Sequence, residues 1–504
     1  MKRSNIVLRY LLVSIMLLPL LNCSKNDDGD TMQMEEEIAP VVLDNEINDF
    51  VWRGLNEIYL WKDEVQNLAD DRFETTDNYY TFLNGFNTPE NLFSSLLYRT
   101  EDIDRFSFLV DDYVALEQSF QGNSKTNGLD FRLVRISGSD DVFGYIRYVA
   151  LNSNASTKDI ERGDLFTTVD GQQLNINNFR SLLFGDNDTY TLGLARIENN
   201  SITNTNETVE LTKTDFTENP ILISKVLNVS GTSIGYVMYN SFIANFDNEL
   251  NNAIGDLKNQ GITELVLDLR YNGGGRVSSA IALASMITGQ FNGDVLIQQQ
   301  WNSRYQAFFE QENPERLINR FRNTLADNTP INSLNLSKVY VLSTTGTASA
   351  SELIINGLSP YIDVVQVGTN TTGKYTASIT LYDSSNFGRD NANPNHQYAL
   401  QPQVFKSANA NGVTDYFEGL NPDIPVTYQN SSGATIPGEN IANLGTLGDI
   451  DEPFLAKAIE AITGATSKTQ SAKMNLNMII EPVADSKDFS PLRKEMYADF
   501  IPLN

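Results

Sequence analysis

The 504-residue chain has a single histidine, His396, and a single cysteine, Cys23. That scarcity removes most recipes for a zinc site, a redox pair or a disulfide framework. It also weakens any nucleophilic triad built on histidine, because His396 lies in the polar run Asn393-Pro394-Asn395-His396-Gln397 and reads as a plain surface residue. Basic residues are few as well: 36 Lys and Arg against 64 Asp and Glu leave a net charge of -28, which repels a phosphate backbone and argues against nucleic acid as a partner. The apolar run near the start, residues 10–21, is too short for a bilayer span of about 20 residues. What the chain does have, at 41% hydrophobic residues, is enough apolar side chain to build cores for two to four domains.

Lys2, Arg3 and Arg9 precede that apolar run, and Cys23 follows Leu20-Leu21-Asn22. The order is that of a signal peptide over residues 1–22, and it resembles the lipobox of a bacterial lipoprotein. The resemblance implies that Cys23 is lipidated and becomes the mature N-terminus, with a free cysteine after an ordinary signal as the alternative. Ser24-Lys25-Asn26-Asp27-Asp28-Gly29-Asp30, within an acidic tether over 23–44, resembles the tag that routes some Gram-negative lipoproteins to the outer face of the outer membrane; a solvated spacer is the other reading. Acyl chains, not protein charge, then hold the chain to the membrane.

Residues 45–120 mix helical spacings, with Phe50, Leu55, Ile58 and Leu60 among them, and predict a small helical domain. Trp52, Tyr59, Trp61, Tyr79 and Tyr80 are expected in core or interdomain packing in preference to a ligand site. Residues 121–215 turn to short β-rich runs separated by turn residues. There the stretch 152–171 predicts a short helix ending at Gly163, a strand through Val169 and a turn at Asp170-Gly171. It resembles a PDZ domain, which implies a strand–helix groove that takes a peptide C-terminus as an added strand. On that resemblance Gly128, Leu129, Asp130 and Phe131 form the loop that holds the terminal carboxylate; a purely structural β-domain is the alternative.

From 216 to 465 strand and helix alternate. Strands are predicted at 234–239, 265–269, 339–342 and 364–367, and helices at 246–260, closed by Gly261, at 277–287 and at 349–358. Such alternation predicts α/β layers with crossover connections, whose functional loops gather at strand ends. Ser349, in Gly346-Thr347-Ala348-Ser349-Ala350-Ser351-Glu352, opens a helix, where N–H groups and the positive dipole end favour a developing oxyanion; the same residues also make a capping box. Lys374 begins a period-two run, 374–381, with Lys374, Thr376, Ser378 and Thr380 on one face and no carboxylate among them. Nothing local then holds it charged, and burial would bring it from about 10.4 toward the 7–8 of a general base; an exposed edge-strand lysine is the competing reading. Asp268-Leu269-Arg270-Tyr271-Asn272-Gly273-Gly274-Gly275 leaves a strand into three glycines, suited either to exposing N–H groups or to a tight turn. The run 368–374 fits a phosphate loop up to its lysine, but Tyr375 and a strand follow where a Ser or Thr and a helix are needed, so nucleotide binding is set aside.

Together these pieces resemble the C-terminal processing peptidases, serine-lysine endopeptidases that carry a PDZ domain before an α/β catalytic domain. The resemblance covers residues 128–426, including Gly419-Leu420-Asn421-Pro422-Asp423-Ile424. It implies a multidomain α/β protein with a crotonase/ClpP-like crossover catalytic domain, no cofactor, and protein or peptide substrates selected or gated by the PDZ domain. It makes Ser349 the nucleophile, Lys374 the base, and the N–H groups of Ala350 and of Gly274 or Gly275 the oxyanion hole. Ser378 stands where members often carry a glutamine, as a shorter support for Lys374. Residues 466–504 form a tail, a polar stretch expected to be flexible and then a segment that either packs back on the enzyme or occupies the peptide groove. The expectation is a serine endopeptidase of the cell envelope, anchored through Cys23. Its competitors are a PDZ-bearing lipoprotein that binds peptide C-termini without catalysis, and an envelope carrier of polysaccharide or other nutrients.

Overall fold

The computed structural model describes residues 39–198, 201–430, 433–465, 479–490 and 492–499; Cys23 with its leader and the polar stretch 466–473 lie outside them. Among the described residues no helix is long and apolar enough to cross a membrane.

The first described elements are helices. Asn45 caps Glu46–Ile58 by accepting from Ile47 N–H at 3.0 Å, and Phe50, Val51, Leu55 and Ile58 bury one face of it. Thr75 and Thr88 cap Thr76–Asn84 and Pro89–Ser95 in the same way. The buried face does not close on itself: Phe50, Leu55 and Tyr59 share an apolar cluster with Leu267, Leu381 and Leu400 of the later α/β body. A Cβ on Gly54 would come 2.4 Å from Leu400 Cδ1, so the first helix lies directly on that body. Tyr59 is fully buried, and Trp52, Trp61, Tyr79 and Tyr80 pack on the same cluster as packing aromatics. His396 is tucked under this helix instead of lying on the surface. Its Nε2 faces Asp383 at 3.2 Å, its Nδ1 accepts from Tyr398 N–H, and its ring lies 6.2 Å from Phe50.

The β-rich region is an antiparallel sheet in the order Ile480–Asp485, Leu129–Ile136, Val142–Val149, Leu165–Val169, Thr189–Glu198, Ser201–Thr212. The strand to Val169 and the turn at Asp170-Gly171, both at positive φ, fall where predicted. The helix expected before Gly163 is only the 3-10 turn Ala155–Thr157. Ser153, Ser156 and Thr157 send their hydroxyls back to the carbonyls of Ala150, Ser153 and Asn154, bonds that compete with helix formation. The edge strand of this sheet, Ile480–Asp485, belongs to the C-terminal tail.

The α/β body holds a six-stranded sheet ordered Ile221–Val229, Thr232–Tyr239, Glu264–Asp268, Lys338–Ser343, Asp363–Gly368, Ile424–Pro425, antiparallel at its first pair and parallel after it. Its side chains alternate between two cores. Val237, Leu265 and Leu267 face helices Asp247–Asn259, Val277–Thr288 and Ala350–Leu358, whereas Tyr236, Val266 and Leu342 face Pro453–Thr463. Coverage on both faces explains why these strands read as apolar runs. A second sheet, ordered Gly275–Arg276, Met496–Tyr497, Thr376–Ser378, Gln403–Asn409, Val295–Trp301, Ile318–Arg320, again takes in a strand of the tail.

Candidate active site

Strand Lys338–Ser343 ends in a turn pinned by side chains. Thr347 Oγ1 donates to Leu269 O at 2.8 Å and accepts from Thr344 N–H at 2.9 Å, and Ala348 N–H donates to Asn272 O at 3.1 Å. These ties hold Ser349 at φ 66°, ψ -116°, a backbone region that costs a non-glycine residue of order 1–3 kcal/mol. Ser349 is fully buried at the head of Ala350–Leu358, and its Oγ makes no hydrogen bond. The expected capping box is present at this helix start, and in its glutamate half Glu352 Oε2 accepts from Ser349 N–H at 2.7 Å.

Glu352 also reaches the lysine loop. Its Oε2 accepts from Lys374 N–H at 2.8 Å, and its Oε1 accepts from Gly373 N–H at 2.6 Å and from Thr371 Oγ1. One buried carboxylate oxygen thus anchors the backbones of both Ser349 and Lys374. Burial pushes the Glu352 carboxyl upward in pKa and these hydrogen bonds pull it back. The carboxylate also stands where a phosphate loop would need to bind phosphate.

Lys374 is fully buried, which corrects the exposed edge-strand reading. The strand expected over 374–381 shrinks to Thr376–Ser378 and leaves Lys374 in the loop before it, yet the predicted face holds: Thr376, Ser378 and Thr380 donate to Gln403, Glu495 and Gln401 on one polar side. The run 374–381 holds no carboxylate of its own, but the distant tail supplies one, placing Glu495 Oε2 2.7 Å from Nζ. The Phe106 ring centroid is 4.9 Å from the same Nζ. Burial lowers the lysine pKa and Glu495 raises it, with the net shift downward. Nζ makes no hydrogen bond to Ser349 Oγ in this arrangement. Ser378 meets the lysine only through Glu495, to which it donates while accepting from Gln401 Nε2 at 2.9 Å.

The glycine turn packs against the serine turn. Asn272 organises both: its Oδ1 accepts from Gly274 N–H at 2.9 Å, its Nδ2 donates to Tyr239 O at 2.8 Å, and its carbonyl accepts from Ser351 Oγ. With Gly274 N–H so engaged, Gly275 is the glycine whose N–H meets a peptide carbonyl, that of Glu495 at 2.6 Å. A Cβ on Gly274, at φ 115°, would come 2.6 Å from both Glu495 O and Ser349 Cβ, so no other residue allows this approach. Ala350 is the first residue of the helix that Ser349 opens. Asp268 and Arg270 of this motif serve structure: fully buried, Arg270 pairs with Asp268 at 2.9 Å and with Glu452 at 2.6 Å.

The PDZ-loop expectation fares differently. Gly128 N–H donates to Thr126 Oγ1 and Leu129 N–H to Asn127 Oδ1, so neither is open to a carboxylate. Asp130 is buried in an ion pair with Arg147 at 2.6 Å, and Phe131 N–H donates to Ser486 Oγ of the tail. Sequence reasoning also missed Arg105, which donates to Gly373 O at 3.1 Å and Phe417 O at 3.2 Å, as well as Phe106, Gln401 and Glu495. None sits in a local pattern; Asn272 lay inside the glycine motif and its amide was the available clue. Among the described residues no group of three or more His, Cys, Asp or Glu is placed to hold a metal ion.

Comparison with known proteins gives the chain its family. Residues 233–426 match the model of peptidase family S41, and residues 46–108 match the peptidase S41 N-terminal domain. The two stretches make up about half of the chain, and the β-rich sheet lies outside both. The chloroplastic C-terminal processing peptidase of Tetradesmus obliquus is 25% identical over 344 residues, 66% of this chain and 65% of that protein. The carboxyl-terminal-processing protease of Picosynechococcus sp. is 29% identical over 175 residues, 34% of this chain and 36% of that protein. The chain therefore spans a little under two thirds of the first relative and about a third of the second. A solved S41 structure from Bacteroides fragilis shares the fold at TM-score 0.63 and 22% identity, over 86% of this chain and 99% of that one. With the family model seated on the serine turn, the lysine loop and the glycine turn together, the chain belongs to peptidase family S41.

Proposed function

We propose that this protein is a serine endopeptidase acting on protein or peptide substrates through Ser349 and Lys374. The observation that carries the reading is the shared anchor: a nucleophile with a strained backbone and an unbonded hydroxyl, and a buried lysine, are held by one oxygen of Glu352. Ser349 Oγ attacks the peptide carbonyl and Lys374 Nζ takes its proton, then gives that proton to the amine that leaves as the C–N bond breaks. Water repeats the sequence to release the acyl half. The N–H groups of Ala350 and Gly275 receive the oxyanion, and Ser378, held by Gln401, is the support on the lysine's polar side. The strand–helix groove of the β-rich sheet selects or gates substrates in the PDZ manner. Cys23, lipidated, anchors the enzyme in the cell envelope at the outer membrane.

The test is cleavage of an unfolded casein by residues 24–504 beside Ser349→Ala and Lys374→Ala. Each substitution is expected to lower turnover by about a thousandfold or more. Turnover retained by Ser349→Ala sinks the assignment. Labelling with palmitate that disappears in Cys23→Ala checks the anchor.

A further inference from the structure

The described tail residues, 479–490 and 492–499, follow one track across the molecule. Ile480–Asp485 adds antiparallel to the edge of Leu129–Ile136, and the Phe489 ring lies 4.1 Å from Phe184 and 6.2 Å from Phe179 of helix Phe179–Phe184. Further on, Met496–Tyr497 pairs in parallel with Gly275–Arg276 and with Ser378. A cavity of about 550 Å³ runs along this path, lined by Gly128 and Phe131 at one end and by Gly274 and Gly275 at the other. The strand edge and the catalytic cleft therefore belong to one groove.

The track is also matched in charge. Glu481 pairs with Arg135 at 2.7 Å, Asp485 with Arg132 and Arg147 at 2.8 Å, Glu495 with Lys374 at 2.7 Å, and Asp499 with Arg276. In a chain of net charge -28, five basic side chains along the track thus meet four carboxylates of the segment, with Arg147 shared with Asp130, and the 3-10 turn Ser486–Phe489 lies between its two short strands. Main-chain pairing for affinity with side-chain contacts for selectivity is how sheet edges bind peptides. The seated segment also occupies the chemistry: Nζ of Lys374 is on Glu495, and Gly275 N–H is on the Glu495 carbonyl. While the segment is there, Nζ is held by a carboxylate instead of facing the Ser349 proton, and the Gly275 N–H is closed to a substrate oxyanion.

We propose that the C-terminal tail is a tethered ligand of the substrate track, a carboxylate-bearing segment that keeps the active site closed until a substrate segment of the same class displaces it. The inference rests on the peptidase reading above. Tethering gives the segment an effective concentration in roughly the millimolar range, which a free substrate must outcompete.

Two arms test it on the full chain. Phe489→Ala with Glu495→Ala is expected to raise casein cleavage about tenfold or more, and adding Ser349→Ala to silence it. Unchanged or lower cleavage with the circular dichroism of the parent overturns the tethered-ligand inference, whereas cleavage surviving Ser349→Ala overturns the peptidase reading instead. The second arm needs no catalysis. A fluorescein-labelled peptide of residues 479–499 is expected to bind saturably to the chain carrying Ser349→Ala, Phe489→Ala and Glu495→Ala, and at least about tenfold more weakly to Ser349→Ala alone. Equal binding to both chains, or none to either, overturns the inference; binding that survives conversion of Glu481, Asp485 and Glu495 of the peptide to amides overturns the acidic class.

Discussion

Glu352 gives up four hydrogen bonds if it becomes alanine, leaving the N–H groups of Ser349, Gly373 and Lys374 buried without partners. At about 1–3 kcal/mol for each unsatisfied group, Glu352→Ala is expected to lose at least ~3 kcal/mol of unfolding free energy in urea titrations. Cleavage should fall with it, by about a hundredfold, as the nucleophile and base lose their common anchor. In the proposed mechanism Lys374 acts as a base only while neutral. Burial sets its pKa below the ordinary 10.5, against the pull of Glu495, with Asp104 and Glu352 also facing it. The kcat/KM for a peptide is therefore expected to rise with pH through a midpoint below 10.5, and Glu495→Gln, which removes the opposing carboxylate, to move that midpoint lower; a midpoint that stays put counts against this account. Ser349 and Lys374 were legible because each stands in a local pattern that its chemistry explains. Glu495 was not, since it meets Ser378 across 117 positions and no spacing marks it.

The elements place these residues by their ends. The glycine turn follows Glu264–Asp268 and the serine turn follows Lys338–Ser343, and because the two strands are parallel neighbours the turns abut. Gly274→Ala, at φ 115° with its Cβ 2.6 Å from Ser349 Cβ, is expected to cost about 1–3 kcal/mol in thermal or urea unfolding and to remove more than ninety per cent of cleavage, while far-ultraviolet circular dichroism stays that of the parent. The parallel strands and their helices were readable because both faces of the sheet are covered, so apolar runs and helical spacings alternate cleanly. Two elements were misjudged for physical reasons. Hydroxyls at Ser153, Ser156 and Thr157 bond locally and stop a helix at one turn. The run 374–381 alternates as an edge strand does, but its polar face is met by Gln401, Gln403 and Glu495 in place of water.

For the molecule as a whole, a buried charge network joins its parts. Glu439 pairs with Arg162 of the β-rich region at 2.8 Å and lies 3.6 Å from Arg270 of the catalytic sheet. Burial raises the Glu439 carboxyl, but the two guanidiniums outweigh it and bring it down from 4.5 to about 2. A depressed carboxyl contributes stability that is complete above pH 4.5 and drains away as pH falls toward about 2. Acid titration followed by tryptophan fluorescence should show stability declining through that window, and Glu439→Gln should flatten the decline while lowering stability at neutral pH. The shared core sets a second expectation. A fragment of residues 216–465, stripped of Phe50, Leu55 and Tyr59, exposes the cluster they fill and should lack the dispersed amide spectrum of a folded domain.

Glu495 stands near the end of the chain, after every other group described at the site, from Arg105 and Phe106 to Gln403. Vectorial synthesis therefore delivers Ser349, Lys374 and the glycine turn before the residue that grips Lys374. If that residue is the restraint proposed above, a premature stop codon downstream of the α/β body would release activity before it removed any, and truncating alleles would act as gains of function.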